Sequence, residues 1–304
     1  MSEHFDIIIV GGGPAGFTAA IYGRRAGKSV LLLEKESFGG QIASSPLVEN
    51  FPAFAAISGA ELAERLYNQA EELGARIELE EVLSVENGAV KTVTTEYGVY
   101  TCTALILATG MKRRTLGLPG EDTLPGVSFC AVCDGMFYSG RDVAVVGGGN
   151  TALQDALYLA EICRSVTVIH RRDAFRGDPI LVEKLKKTAN VTLLMNTVVT
   201  ELQEKAGVLA GLQLRNTLDS AESSLAVAGL FMAVGQLPQA ALSASLAAVD
   251  AEGFLTAGED CRTSADGIFA AGDCRAKEVR QLTTACADGS VAALAACRYC
   301  DDHT

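Results

Sequence analysis

The chain has 304 residues, of which 49% are hydrophobic and 20% are charged, and its formal net charge is −12. This length favours two domains with separate cores, and the acidic balance excludes a nucleic-acid partner because phosphate binding needs a basic surface. No apolar stretch approaches the ~20 residues that cross a bilayer, and no basic region precedes the first apolar run, which excludes a signal peptide. We therefore expect a cytoplasmic protein that is not bound to a membrane.

The N-terminal third of the chain predicts a strand–helix–strand unit followed by further strands. Residues 5–10 form a short apolar run, GGGPAG follows, and a helical segment then ends near Gly27. A second apolar run, SVLLLE, ends at Glu34. A helix is predicted over 59–74, and strand-like segments then end in ALILATG. This alternation of strands and helices is typical of parallel α/β folds.

The middle of the chain repeats this pattern. A Gly- and Pro-rich segment over 117–126 predicts a crossover into a second domain, and a strand then enters the glycine turn GGGNTA. Gly147 precedes His170 by the same number of positions as Gly11 precedes Glu34. The chain therefore contains the same strand–turn–helix–strand pattern twice. The run GLFMAVGQLP predicts the crossover back to the first domain. We expect an α/β fold of two Rossmann-like, three-layer domains, with one inserted in the other.

The first turn is a candidate dinucleotide site because a G-x-G-x-x-G spacing lies between a predicted strand and a predicted helix. The glycines allow a tight turn, close approach of a pyrophosphate and close helix packing, and the helix N-terminus favours an anion. An acid after the second strand could accept hydrogen bonds from a ribose. The alternative is a tight turn without a ligand. The candidate contacts are Gly11, Gly13, Pro14, Ala15, Gly16 and Glu34.

The second turn predicts a different dinucleotide. His170 takes the place of Glu34, and the segment HRRDAFR is basic. An acid at this place would repel a 2′-phosphate, whereas arginines bind one by charge-assisted hydrogen bonds. The sequence therefore indicates NADP(H) at this turn, and the alternative is a solvated loop. The candidate contacts are Gly149, Asn150, Thr151, His170, Arg171, Arg172 and Arg176.

The nine cysteines have scattered spacings, which argues against a secreted disulfide framework. Cys130 and Cys133 have the C-x-x-C spacing of a reversible disulfide, and Asp134 is placed to shuttle protons. Half of a zinc site is the alternative, but no histidine lies near this pair in the sequence, and we expect no metal. Cys297 and Cys300 form a second local pair.

These motifs together resemble low-molecular-weight thioredoxin reductases over essentially the whole chain. GGGPAG, FGGQI with VENFP, ATG, CAVCDG, GGGNTA, HRRDAFR, and AAGD with RQLTTA occur in the family's order and approximate spacing. The resemblance implies an FAD domain in two parts, 1–115 and 244–304, and an NADPH domain over 116–243 that carries the redox pair. It also implies flavin-site residues, which are Gln41, Asn50, Thr109, Gly110, Asp273, Arg280, Gln281 and Leu282.

The same resemblance implies a route for electrons. NADPH reduces the flavin, the flavin reduces the disulfide from the side of Cys133, and Cys130 attacks the disulfide of thioredoxin while Asp134 exchanges protons. It further implies a homodimer and two orientations of the NADPH domain, with the two crossovers as hinges. Met136 and Phe137 are expected either to dock thioredoxin as an exposed pair or to be buried.

Alternative functions stay open at this point. A related enzyme could pass electrons to oxygen or to another thioredoxin-like carrier. A ferredoxin-coupled NADP reductase would lack the C-x-x-C pair, and a flavin-binding protein without activity gives no reason for two dinucleotide sites beside a redox pair. Gln154 and Asp155 stand where relatives often have two acids, so the nicotinamide could be positioned differently. Cys297 and Cys300 are expected to be inert or, as in larger reductases, to form a second thiol relay.

Overall fold

The computed structural model describes residues 3–45 and 47–303, and the chain divides into two compact units. The first unit runs up to Lys112 and resumes at Leu237, and the second unit, Arg113–Gln236, is inserted in it. Each unit is built around a largely parallel sheet, which confirms the predicted fold class of two Rossmann-like α/β domains. The bounds predicted for the FAD and NADPH domains concern ligand binding and stay a prediction.

The strands are β1 (Glu3–Val10), β2 (Val30–Glu34), β3 (Arg76–Leu79), β4 (Val82–Glu86), β5 (Lys91–Thr95), β6 (Val99–Leu107), β7 (Met111–Arg113), β8 (Val127–Ser128), β9 (Asp142–Gly147), β10 (Ser165–Ile169), β11 (Val191–Leu194), β12 (Thr197–Lys205), β13 (Val208–Asn216), β14 (Glu222–Ala226), β15 (Gly229–Ala233), β16 (Gln236–Pro238) and β17 (Ile268–Ala270). The helices are α1 (Pro14–Arg25), α2 (Gly59–Glu72), α3 (Ala131–Asp134), α4 (Asn150–Ile162), α5 (Pro179–Lys186), α6 (Ala240–Leu246) and α7 (Leu282–Asp302). Short 3₁₀ turns cover Gly40–Ser44, Gly135–Tyr138 and Gly272–Cys274.

The sheet of the first unit has the order β3-β2-β1-β6-β5-β4, with β17 also pairing with β6. Strands β1, β2, β3, β6 and β17 pair in parallel. Ile7 and Ile9 pack in a cluster with α1 and α7, whereas Ile8 belongs to the core on the opposite face. All three isoleucines are fully buried because a parallel sheet is covered on both faces.

The second unit has three layers. Its parallel sheet has the order β11-β10-β9-β15-β8. Val143 and Val145 of β9 pack in a cluster with α4 and α5, whereas Ala144 and Val146 pack against the antiparallel sheet β12-β13-β14. In the first unit the chain continues from β1 to β2 and β3 on one side and later adds β6 on the other side, and in the second unit β10 and β11 lie on one side of β9 and β15 on the other. This reversal of strand order at β1 and at β9 creates a switch point, where ligands of open α/β sheets bind.

Helices α1 and α7 approach each other closely in the first unit. A Cβ atom added to Gly289 of α7 would lie 2.2 Å from the carbonyl oxygen of Ala15 in α1. The buried face of α7 consists largely of alanines and other small residues. Among the helices of residues 3–45 and 47–303, none is both long and apolar enough to cross a membrane.

We expect Gly289→Ala to destabilise the protein by roughly 1–3 kcal/mol, because the added methyl group forces α1 and α7 apart and such overpacking outweighs the helical preference of alanine. Gly98→Ala is the matched control, since no described atom lies within 4 Å of a Cβ at that position. Urea unfolding of both variants measures the difference. Equal unfolding midpoints would show that the helices do not depend on this contact.

Candidate active site

The first glycine turn is shaped by two close approaches of the backbone. A Cβ added to Gly11 would lie 2.2 Å from the carbonyl oxygen of Ala108, and Gly11 has a φ of +115°. A Cβ on Gly16 would lie 1.9 Å from the carbonyl oxygen of Gly11. By contrast, no described atom lies within 4 Å of a Cβ on Gly13, the residue before α1. The turn therefore packs tightly on its inner side and leaves the start of α1 open, as an anion site requires.

Glu34 lies beside this turn at the end of β2. Its Oε2 accepts a hydrogen bond from the N–H of Gly12 (2.7 Å), and its Oε1 accepts from the N–H groups of Lys35 and Glu36 (2.9 and 3.0 Å). Three backbone donors therefore fix the carboxylate. Because a carboxylate has about four acceptor positions, Glu34 keeps capacity for a ribose hydroxyl.

Two buried polar groups of the first unit lack oxygen or nitrogen partners among the described residues. They are Oδ1 of Asp273 and Oγ1 of Thr109. Burial raises the pKa of Asp273, although the positive charges of Lys277 and Arg280 act in the opposite direction. A buried polar atom without a partner is costly. A ligand with hydroxyl groups, such as the ribityl chain of a flavin, would satisfy both atoms, so these residues fit the predicted cofactor.

The other predicted flavin-site residues are held by short local contacts. The amide of Gln41 donates to the carbonyl of Met111 (2.8 Å), and that of Asn50 donates to Oε1 of Gln281 (3.4 Å). Gln281 caps α7, which begins at Leu282. The guanidinium of Arg280 lies 4.2 Å from the ring centre of Phe254, and its Nε donates to the carbonyl of Asp273 (3.4 Å). Gly110, which follows Thr109 in the chain, has a φ of +62°.

The second glycine turn repeats the geometry of the first. A Cβ on Gly147 would lie 2.4 Å from the carbonyl oxygen of Ala233, and no described atom lies within 4 Å of a Cβ on Gly149. Asn150 begins α4 and bonds through its side chain to Asp178, whose N–H donates to Oδ1 of Asn150 (2.7 Å). Thr151, in the first turn of α4, is exposed. This turn also leaves a helix N-terminus open.

The basic loop is fastened to this second turn. The N–H of Arg176 donates to the carbonyl of Gly148 (2.7 Å), and the N–H of Asn196 donates to that of Arg172 (3.0 Å). The side chains of Arg171, Arg172 and Arg176 are exposed. The loop therefore presents three cationic groups beside the open end of α4, as binding of a 2′-phosphate requires.

His170 is buried beneath the same turn. A Cβ on Gly148 would lie 2.2 Å from the imidazole ring, and ring atom Nε2 is hydrogen-bonded to the carbonyl of Ala174 (3.1 Å). Burial lowers the pKa of His170, and the charges of Arg172 and Arg176 act in the same direction. The imidazole ring supports the glycine turn, and its predicted contact with the cofactor stays a prediction.

Cys130 and Cys133 form a disulfide with an S–S distance of 2.10 Å. Cys130 precedes α3, and its Sγ accepts a hydrogen bond from the N–H of Cys133 (3.2 Å). Cys133 is exposed, whereas Cys130 is half-buried. A hydrogen bond to sulfur favours the thiolate over the thiol, so the local backbone assists Cys130 once the disulfide is reduced.

Asp134 is connected to the redox pair through Ser128. The hydroxyl of Ser128 donates to Oδ2 of Asp134 (2.6 Å), and the N–H of Cys130 donates to the same hydroxyl (3.1 Å). Burial raises the pKa of Asp134, and the bond from Ser128 partly offsets this effect. The sequence analysis did not single out Ser128, and its only signal was a polar residue two positions before Cys130 at the end of a strand.

Cys297 and Cys300 lie on α7 in the first unit as buried thiols. Sγ of Cys300 contacts the carbonyl of Asp6 (3.3 Å), and burial raises the pKa of Cys300 to about 12 and also raises that of Cys297. Thiolates are therefore disfavoured at both positions, which supports the inert alternative. Within residues 3–45 and 47–303, no group of histidine, cysteine or acidic side chains is arranged to hold a metal ion.

Two glycine turns of the dinucleotide type, in a chain that also holds a disulfide with a nearby acid, are the features of a nucleotide-dependent disulfide oxidoreductase. A family model described as pyridine nucleotide-disulphide oxidoreductase matches residues 5–289. The chain belongs to this family.

Three relatives are similar over nearly all of this chain. A thioredoxin reductase of Listeria monocytogenes is 40% identical over 98% of this chain and 94% of its own. A bifunctional thioredoxin reductase/thioredoxin of Mycobacterium leprae is 41% identical over 98% of this chain and 66% of its own. The crystal structure of thioredoxin reductase from Streptococcus pyogenes is 38% identical, covers 99% of this chain and 100% of its own, and superposes with a TM-score of 0.95. The resemblance found in the sequence is thereby confirmed.

We expect Asp273→Asn to stabilise the cofactor-free protein by about 1 kcal/mol at neutral pH, because it removes a carboxylate whose ionisation is opposed by burial. The raised pKa means that the folded protein holds this proton more tightly than the unfolded chain. The charge penalty is therefore full at neutral pH, is lost as the pH falls through the raised pKa of the folded protein, and is absent below the ordinary pKa of aspartate. Thermal unfolding over a pH series, beside the exposed control Glu96→Gln, would contradict this account if Asp273→Asn melted lower at neutral pH.

Proposed function

We propose that the protein is a thioredoxin-disulfide reductase that passes electrons from NADPH through FAD to the Cys130–Cys133 disulfide and on to thioredoxin. The disulfide in the same unit as the second glycine turn carries this proposal. The relatives named thioredoxin reductase support it, because their similarity extends over both units and not over one domain alone.

The two glycine turns differ in the charge of the side chains that lie near them, and this difference assigns the two cofactors. We assign FAD to the first turn, where Glu34 would bind a free ribose and Asp273 the ribityl chain, and NADPH to the second turn with its three arginines. When bound, the flavin and nicotinamide supply two-electron transfer to the disulfide. The proposed FAD contacts are Gly11, Gly13, Pro14, Ala15, Gly16, Glu34, Gln41, Asn50, Thr109, Gly110, Asp273, Arg280, Gln281 and Leu282. The proposed NADPH contacts are Gly149, Asn150, Thr151, His170, Arg171, Arg172 and Arg176.

Cys130, Cys133 and Asp134 have different roles in the proposed thiol chemistry. Reduction of the disulfide takes up two electrons and two protons and yields two thiols. Ionised Asp134 then accepts the proton of Cys130, and the resulting thiolate attacks the disulfide of thioredoxin. Protonated Asp134 returns that proton to the first leaving thioredoxin thiolate. The sulfur of Cys133 then attacks Cys130 in the mixed disulfide and displaces the second thioredoxin sulfur, which takes up the proton that Cys133 loses, and the Cys130–Cys133 disulfide is restored. Asp134 ends each cycle ionised, so the exchange is balanced.

An exposed apolar surface beside the disulfide provides a place for thioredoxin. Val132, Met136 and Phe137 are 54%, 59% and 40% exposed, so the alternative of a buried pair does not hold. Exposed apolar side chains that are grouped together mark interaction sites. The Mycobacterium leprae relative, whose name joins a reductase and thioredoxin in one protein, supports the same acceptor. We further propose a cytoplasmic homodimer without a metal.

We expect Cys130→Ser to lower thioredoxin-dependent NADPH oxidation by at least about a hundred-fold, because serine cannot attack the acceptor disulfide. Reduction of the bound flavin by NADPH should persist, as seen by bleaching of its visible absorption. Cys163→Ser is the control, since Cys163 is a free and buried thiol of the same unit. Flavin reduction without turnover in the unaltered protein would redirect the assignment to oxygen or another carrier as the acceptor.

We expect Arg176→Ala to raise the KM for NADPH by about ten-fold or more and to leave the KM for NADH unchanged. The loss corresponds to one charge-assisted hydrogen bond to the 2′-phosphate, which NADH lacks. Arg215→Ala, an exposed arginine on β13, is the control. Steady-state kinetics with both nucleotides measures the effect, and a parallel loss with NADH would refute phosphate recognition by the loop.

A further inference from the structure

Arg113 lies against the segment that carries the redox pair. It is the last residue of β7 and the first of the inserted unit. Its guanidinium carbon lies 4.8 Å from the ring centre of Phe129, the residue immediately before Cys130. At this distance an arginine is attracted to an aromatic face. Phe129 itself packs in the core between the parallel and antiparallel sheets, so it provides a fixed platform.

The charge on Arg113 acts on Asp134. Burial lowers the pKa of Arg113, whereas the carboxylates of Asp134 and Asp122 raise it. An arginine stays protonated under all ordinary conditions. A permanent positive charge therefore stands near the carboxyl group to which the proposed function assigns proton transfer, in a place where burial reduces screening by water.

Three groups of the inserted unit interact with Asp134 by a hydrogen bond or through charge. The positive charge of Arg113 and the hydroxyl of Ser128 favour its ionised form, whereas burial opposes it. Tyr138 is the third group, and the negative charge of Asp134 contributes to the raised pKa of that phenol. Ser128 has one hydroxyl proton and gives it to Asp134 at 2.6 Å. Ser128 thus fixes one carboxyl oxygen, and among these three groups Arg113 alone is a cation.

We propose that Arg113, resting on Phe129, is a positioning residue that keeps Asp134 ionised between turnovers so that it can accept the proton of Cys130. This inference rests on the proposed proton exchange by Asp134. Arg113 contacts the aromatic platform and acts through Asp134, without itself touching the reacting sulfur atoms. Its loss should therefore change the pH at which the reaction runs while leaving nucleotide binding unaffected.

The first experiment compares pH profiles of thioredoxin reduction by the flavin-loaded enzyme. Removal of the cation makes Asp134 harder to ionise, so in Arg113→Met we expect the acidic limb of the profile to move by about one unit toward higher pH. In Arg113→Lys, which keeps a positive charge, the acidic limb should lie close to its wild-type position. The KM for NADPH should not change in either variant. Arg114→Met is the matched control, since Arg114 is the next residue and is exposed. An Arg113→Met limb that coincides with the wild-type limb overturns the proposal.

The second experiment places the change in an Asp134→Asn background. The acidic limb that Asp134 causes should be absent from the pH profile of Asp134→Asn. Adding Arg113→Met to this variant should cause no further change in the profile. A persistent shift in the double variant would mean that Arg113 acts on another group, and the proposal would fall.

The third measurement needs no thioredoxin. The infrared band of the protonated Asp134 carboxyl, identified by difference from Asp134→Asn, is followed against pH with and without Arg113→Met. We expect the band to persist to higher pH in the variant. If the wild-type enzyme did not reduce thioredoxin and this band still shifted, the proposed acceptor would fail and the coupling of Arg113 to Asp134 would stand. An unshifted band would overturn the coupling itself.

Discussion

One close contact is repeated at the centre of both units, and the arrangement of each candidate site depends on it. The first glycine of each turn lies against the last carbonyl groups of the neighbouring strand, Ala108 for Gly11 and Ala233 for Gly147. A side chain at either glycine would collide with these oxygens, so the strand could not enter its helix at this angle. Because the turn is so tight, the N-terminus of α1 or α4 opens at the switch point of the sheet, where a dinucleotide pyrophosphate can reach its N–H groups.

Two carboxyl groups carry the remaining chemistry, and burial makes both of them harder to ionise. Asp273 has an oxygen without a protein partner, an arrangement that costs stability unless a ligand supplies a donor. Asp134 has Ser128 as a donor and Arg113 as a nearby cation. The difference matches the two proposed tasks, since one carboxylate would hold a cofactor permanently while the other must gain and lose a proton in each cycle.

The redox pair depends on side chains that come from both ends of a long loop. Arg113 enters from β7, Phe129 and Ser128 stand at the end of β8, and Asp134 ends α3. The short strand β8 pairs with β15, and Ala233 at the carboxyl end of β15 lies against Gly147 of the second glycine turn. The nucleotide turn follows β9 and the disulfide segment follows β8, and β15 lies between these two strands in the same sheet. Their geometry within this unit is set by the same core.

The sequence by itself determined the features that depend on neighbours in the chain. The glycine spacing, the repeated distance to Glu34 and His170, and the C-x-x-C pair are local patterns, because a tight turn or a short disulfide loop needs particular residues at fixed separations. Only the tertiary structure decided what distant residues do to one another. It buried His170 under Gly148, exposed Met136 and Phe137, placed Cys297 and Cys300 in a core that disfavours thiolates, and brought Arg113 to Asp134. Burial and charge coupling arise from packing between segments that are far apart in the chain, and no local pattern encodes them.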